Sequence, residues 1–199
     1  MDADDRLTAA LALDLDRSFE ALVLAHQDRL YTIALRMLGR PGDAEEAAQD
    51  ALVKAYRALE TYDETRIREL RLRGWLSTIV LNLCRSRLGR QAVRGAAPLS
   101  LDASDGLLDH VATGGRRSPM DVADRRAERD AWGARLMALP PAYRAAVVLR
   151  HVDGLSYPEA AAALGRPEGT VKAQVHRGIA LLRTMLEAEA RREPEEMTA

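Results

Sequence analysis

One cysteine, Cys84, and one phenylalanine, Phe19, are all that this chain of 199 residues contains of either type. A lone thiol excludes a disulfide within the chain and a zinc site built from several cysteines, and it fits a reducing compartment. Aromatic residues make up only 4% although 47% of residues are hydrophobic. Alanine and leucine must therefore do most of the packing, which favours helices over sheets. No apolar run approaches the ~18–20 residues needed to cross a bilayer, and no stretch alternates apolar and polar residues long enough to suggest a strand. An excess of one charge is missing too: charged residues are 30% and the formal net charge is −1. Global charge does not announce a nucleic-acid binder, but a local patch can still act through its own field. The opening MDADDRLTAALALDLDRS is acidic and lacks the basic start of a secretory signal. The expectation is an all-α, cytoplasmic protein without membrane insertion.

Catalytic patterns are scarce as well. His26, His110, His151 and His176 are scattered without metal-ligand spacing. Cys84 has no evident histidine partner, so a packing role is expected for it. Gly114-Gly115 follows no strand, and no phosphate-cradling glycine loop occurs. No enzyme, cofactor or metal is expected.

Periodicity divides the chain. Residues 1–17 form an acidic extension without an assigned role, either masking a basic surface or unstructured. From 18 to 90, Phe19, Leu22, Val23, His26, Leu30, Ile33, Ala34 and Met37 recur at helical steps, and Gly39-Arg40-Pro41-Gly42 ends that helix. Asp43 is expected to cap the next, with Glu46 three residues on. That helix turns Ala44, Ala47, Ala48, Ala51, Leu52, Ala55 and Leu59 inward. A third runs from Trp75 to about Leu88. Residues 91–120, rich in Gly, Ala, Ser, Asp and Pro, read as a flexible linker, with at best a short helix near Leu107–Val111. Helical periods return over 121–190, and residues 191–199 are expected to fray.

The stretch GLSYPEAAAALGRPEGTVKAQVHRGIALLR, residues 154–183, carries the strongest signal. Ser156 and Glu159 make a capping box, with Pro158 in the first turn. Gly165 suits a left-handed helix cap, and a second helix starts after Pro167. Two short helices across a tight glycine turn form a helix-turn-helix, whose second helix enters the major groove. There Val171, Val175, Ile179 and Leu182 face inward. Gly169 and Ala173 give clearance in a groove about 12 Å wide. Thr170, Lys172, Gln174, His176, Arg177 and Arg183 are left to meet phosphates and base edges. A solvated basic face is the plainer alternative for any one such helix; the capped partner helix and the turn favour DNA.

ALPPAYRAAVVLRHVDGLSYPEAAAALGRPEGTVKAQVHRGIALLR resembles the fourth conserved region of bacterial RNA polymerase sigma factors, in the extracytoplasmic-function group of the sigma-70 family. FEALVLAHQDRLYTIALRMLGRPGDAEEAAQDALVKAYRALETYD, with GWLSTIVLNLCRSRLGR, is similar to their second region. The resemblance implies two small helical domains and a transcription initiation factor. Its partners would be core RNA polymerase, through the β′ clamp helices and the β flap, promoter DNA, and an inhibitory anti-sigma factor. It implies polymerase contacts for Asp43, Glu45, Glu46, Gln49, Asp50 and Lys54, a set that composition alone would leave as a solvated acidic face. It places the −10 element at the third helix and the loop before it, where Asn82, Arg85, Ser86 and Arg90 fall. Asn82 and Arg90 match the family pattern. Ser86 stands where Asp is common, and Ser77 and Thr78 where an aromatic and a basic residue are frequent. The loop ETRIRELRLRG is longer than usual, and its Arg66, Arg68, Arg71 and Arg73 are expected to replace the missing cations. Trp75 is expected to anchor the core. Asp102, Asp105 and Asp109 of the linker would lie in the path of the new RNA, or would simply keep a tether soluble. The −35 element falls to the helix-turn-helix.

The main alternative is a helix-turn-helix regulator that is not a sigma factor, since GTVKAQVHRGIALL also resembles two-component regulators. Those carry an α/β receiver, and no strand pattern precedes the motif here. A helical adaptor is the remaining reading.

Overall fold

The computed structural model describes residues 2–93 and 119–196. All regular structure among them is helical. The first helix, α1 (Ala3–Leu13), covers most of the supposed extension. Asp2 accepts from the Asp5 amide at 2.8 Å while its own amide donates to the Asp5 carboxylate at 3.0 Å, a closed capping box. Leu11 and Ala12 are buried. Residues 3–13 are thus an integral packing element, not an appendage. The sequence reading missed them because the acidic residues there cap and solvate a short amphipathic helix.

Asp14 caps α2 (Leu15–Leu38), and Gly39, at φ +77°, closes it in the left-handed region that glycine occupies without strain. α3 (Pro41–Leu59) starts two residues before the expected cap: Pro41 takes the first turn, and Asp43 lies inside the helix. α3 buries Ala44, Ala47, Ala48, Ala51 and Ala55 against α2 and α5 (Leu72–Val93). Between them, the arginine loop folds into a short helix, α4 (Glu64–Arg68), capped by Asp63 and anchored by buried Ile67. α1 lies across α2 and α4. Trp75 is partly buried against this core, with Tyr62 at 6.2 Å between ring centroids.

The second half comprises α6 (Pro119–Ala138), α7 (Pro141–Val147), a widened π-type turn over Val148–Val152, α8 (Tyr157–Leu164) and α9 (Glu168–Glu196). The helix-turn-helix forms as expected. Ser156 and Glu159 close their box, Pro158 sits in the first turn, and Gly165 caps at φ +62°. α9 continues to Glu196, past the expected fraying point. Gly178 on α9 allows the crossing of α7, because a Cβ there would lie 2.6 Å from Val147 Cγ2. The linker carboxylates and the short helix suggested near Leu107–Val111 lie outside the described residues.

The two halves do not hang apart. α8 packs on α5, and α6, α7 and the π-type turn pack on α2. A continuous buried cluster runs from Leu22 and Leu30 to Leu149, Ala160 and Val171. Arg144, 5% exposed, donates to the carbonyls of Met37 (2.7 Å), Met137 (2.7 Å) and Leu139 (3.1 Å). One guanidinium thereby serves the carbonyl-rich ends of α2 and α6, where positive charge is favoured.

Two predictions follow from this packing. Gly178→Ala should cost about 1–3 kcal/mol in urea denaturation, and the double variant with Val147→Ala should lose less than the sum of the single losses. His26 is buried with neither ring nitrogen hydrogen-bonded. Burial holds its pKa below 6.5, with Arg29 and Arg73 adding to the lowering; Asp4, at 3.6 Å, and Asp153 oppose it. The unfolded chain therefore takes up this proton at higher pH than the folded chain. Stability is full above about pH 6.5 and falls as pH drops below it. The urea midpoint should fall between pH 7 and pH 5, and His26→Leu should make that fall shallower.

Candidate nucleic-acid interface

The inner stripe of α9 consists of Val171, Gln174, Val175, Gly178 and Leu182, all buried. These positions recur at steps of three and four residues, one face of a helix. Thr170, Lys172, Ala173, His176, Arg177 and Arg183 are exposed on the rest of the surface. Lys172 is held by Glu168 at 2.7 Å and lies 5.5 Å from the Tyr157 ring centre. It is a positioned cation, and Glu168 offsets part of its charge.

Gln174 departs from the expectation that it faces outward. It is 8% exposed, and its Oε1 has no hydrogen-bond partner. It lines a small cleft with Met37, Arg85, Pro141, Leu164 and Arg166. Position 174 belongs to the 171/175/178 stripe, so the register of the helix, and not the polarity of the side chain, decides where it points.

In the first half, Asn82, Ser86 and Arg90 are exposed on α5, and Arg66, Arg68 and Arg71 on and beside α4. Arg66 stacks over the Tyr62 ring at 3.7 Å, and Arg68 lies 3.8 Å from Glu64. The Ser86 hydroxyl donates to the Asn82 carbonyl at 2.9 Å. Arg85 is half-buried opposite Arg166; burial first, and then that like charge, lower its pKa. Arg73 is spoken for, donating to the Asp153 carbonyl at 2.6 Å. The expected −10 cations thus differ in their ties: Arg73 is still 49% exposed but bonded to the other half, Arg85 is half-buried beside that half, and Arg66, Arg68, Arg71 and Arg90 are exposed.

The acidic face of α3 carries exposed Glu45, Glu46, Gln49 and Lys54, with Asp43 and Asp50 half-buried. Glu46 and Asp50 are gripped by Arg87 of α5, at 2.9 and 2.7 Å. Its hydrogen bond holds the Glu46 carboxyl below its usual range. The sequence reading did not single out Arg87. Cys84 is fully buried and its thiol is pushed up to about 12, mainly by burial, so it holds almost no thiolate at neutral pH. Among the described residues, no group of His, Cys, Asp and Glu could hold a metal, and no helix is long and apolar enough to cross a membrane.

This arrangement, an acidic face on α3 in one half and a helix-turn-helix in the other, has known counterparts. The family model for Sigma-70 region 2 matches residues 22–94, and that for Sigma-70 region 4 matches residues 129–182. The two halves are therefore those of a sigma-70-type protein. The ECF RNA polymerase sigma factor SigW of Bacillus subtilis is 30% identical over 85% of this chain and 89% of its own length. SigE of Mycolicibacterium smegmatis is 34% identical over 85% of this chain, which spans 62% of that relative. Among solved structures, CnrH in complex with the cytosolic domain of CnrY superposes with a TM-score of 0.66, at 28% identity, covering 94% of this chain and 99% of CnrH. RpoE of Bartonella quintana, solved with the anti-sigma factor NepR, shares the fold, with a TM-score of 0.65 at 24% identity over 86% of this chain and 98% of RpoE. The chain belongs to the extracytoplasmic-function sigma factors of the sigma-70 family. It is a transcription initiation factor, and the stand-alone regulator reading is not favoured.

Gln174 supplies a test of register. Gln174→Leu removes a buried, unsatisfied amide oxygen and should leave thermal stability unchanged or raise it. Promoter affinity should stay within about twofold, a change worth less than 0.5 kcal/mol. A large loss of DNA binding with the fold intact would return Gln174 to the outer face.

Proposed function

We propose that this chain docks on core RNA polymerase through the acidic face of α3, with Asp43, Glu45, Glu46, Gln49, Asp50 and Lys54, and meets the β′ clamp helices there. In this reading α9 presents Thr170, Lys172, Ala173, His176, Arg177 and Arg183 to the −35 element while the second half contacts the β flap. The −10 strand is received by Asn82, Arg85, Ser86 and Arg90 together with the loop cations Arg66, Arg68, Arg71 and Arg73. The factor itself makes and breaks no covalent bond; it supplies specificity and strand separation in the cytoplasm, where the polymerase makes the RNA. A protein partner of the anti-sigma kind belongs to the reading, and the relationship to CnrH, solved with the cytosolic domain of CnrY, supports it.

The observation that carries this reading is the two-sidedness of α9. Its buried stripe fixes the helix on α7 and α8, which leaves small and cationic residues together in solvent. Ala173 and Gly169 keep the backbone close to a groove floor, and the cations around them reach phosphates.

Run-off transcription from a genomic fragment pool with core polymerase tests it. Discrete transcripts should appear only when the chain is added. Replacing Arg66, Arg68 and Arg71 with Gln should reduce open complexes about tenfold or more, because single-strand affinity rests on such charges, while co-purification with core polymerase stays unchanged. Unaffected opening would make the loop a surface insertion.

A further inference from the structure

The carboxylate of Asp153 has no exposed surface. It belongs to the second half, at the end of the π-type turn, yet its partners come from the first. Arg29 Nη2 lies 2.7 Å from Oδ2, and the Ser77 hydroxyl donates to the same oxygen at 2.9 Å. Arg73 donates to the Asp153 carbonyl, and Arg29 Nη2 also reaches the Arg73 carbonyl at 2.9 Å. Gly154, at φ +77°, turns the chain directly afterwards. Six residues on, Glu159 has its carboxyl held low, first by the Ser156 hydroxyl and amide, and further by Arg71 and Arg73. An acidic turn of one half therefore sits on the arginines of the other.

The placement has two consequences. A fully buried carboxylate needs those donors, so the halves cannot separate without hydrating Asp153, Arg29 and Ser77 together. In addition, Arg73, with about half its side chain in solvent, is tied to the Asp153 carbonyl, and exposed Arg71 lies within the field of Glu159. Both are cations that the reading above assigns to the −10 strand.

We propose that the Asp153 turn latches the free factor shut and ties down Arg73, one of its −10 cations, until the halves part. The masking rests on the functional reading of the loop; the latch does not. Ser77 is part of the device, because only a small side chain there leaves room for the carboxylate it binds.

The two parts are read separately. Spin labels at Val53→Cys and Leu181→Cys, both exposed, measure the distance between halves in the full chain by double electron–electron resonance. Cys84, buried and held as thiol, stays unlabelled. Asp153→Asn keeps the shape and removes the charge. It should shift the distance distribution to longer and broader values, and Ser77→Val should do the same to a smaller extent. Ser77→Val keeps the test decisive if Asp153→Asn fails to fold by circular dichroism. Affinity for a fluorescent single-stranded oligonucleotide of mixed sequence should rise about tenfold at low salt, as for a competent state first populated near one part in ten. An unchanged distance in folded variants would overturn the latch. A longer distance with unchanged affinity would overturn the masking and would also count against the loop as a strand-binding surface.

Discussion

The arrangement of the two halves depends on keeping one carboxylate, Asp153, out of water. A buried ion is tolerated only when its lone pairs are met by well-placed donors, and here these come from α2 and α5. Arg144 mirrors it, a buried cation of the second half satisfied partly by the Met37 carbonyl of the first. Apolar contact between α5 and α8 supplies area but little direction. The two charges supply direction, because each has a narrow range of geometries in which it is satisfied. The seam is thus specified by polar groups and filled by alanine and leucine.

Surface function follows from the same division. With one stripe of α9 committed to the core, everything that can touch nucleic acid lies on the remaining arc. With Arg87 holding Glu46 and Asp50, the acidic face of α3 is a fixed pattern and not a set of independent tethers. Paired acids of this kind keep their position and stay ionised while Arg87 offsets part of their field; Glu45 and Gln49, joined to each other at 3.3 Å, and Lys54 lie outside that grip.

Much of the helical plan was legible from local pattern. The alanines of α3, the Ser156–Glu159 box, the Gly165 cap and the inner valines of α9 all obey rules that act within one turn or two. The errors were of two kinds. α1 and the start of α3 were misjudged because acidic residues read as tail or cap when they sit inside first turns. Gln174 was placed by its polarity when its register put it inside. What stayed invisible was long-range pairing. Arg29 and Asp153 are 124 positions apart, and Arg87 and Glu46 are 41. No period or spacing links such residues. Ser77 alone left a trace, as a small residue where the family resemblance leads one to expect a ring.

The alanines of α3 have a further consequence, for how this chain tolerates change. Ala44, Ala47, Ala51 and Ala55 are wholly enclosed where α3 meets its neighbours. They are nearly the smallest side chains available, so substitution there goes almost entirely toward greater volume. Helices that approach this closely cannot absorb added carbons by rotating a side chain away. Variation along this ridge is therefore filtered by size before polarity, and a change such as alanine to valine, harmless on most surfaces, would act here as a wedge. The four positions form a nearly one-way boundary in sequence space: glycine is the only smaller residue, and it weakens the helix itself.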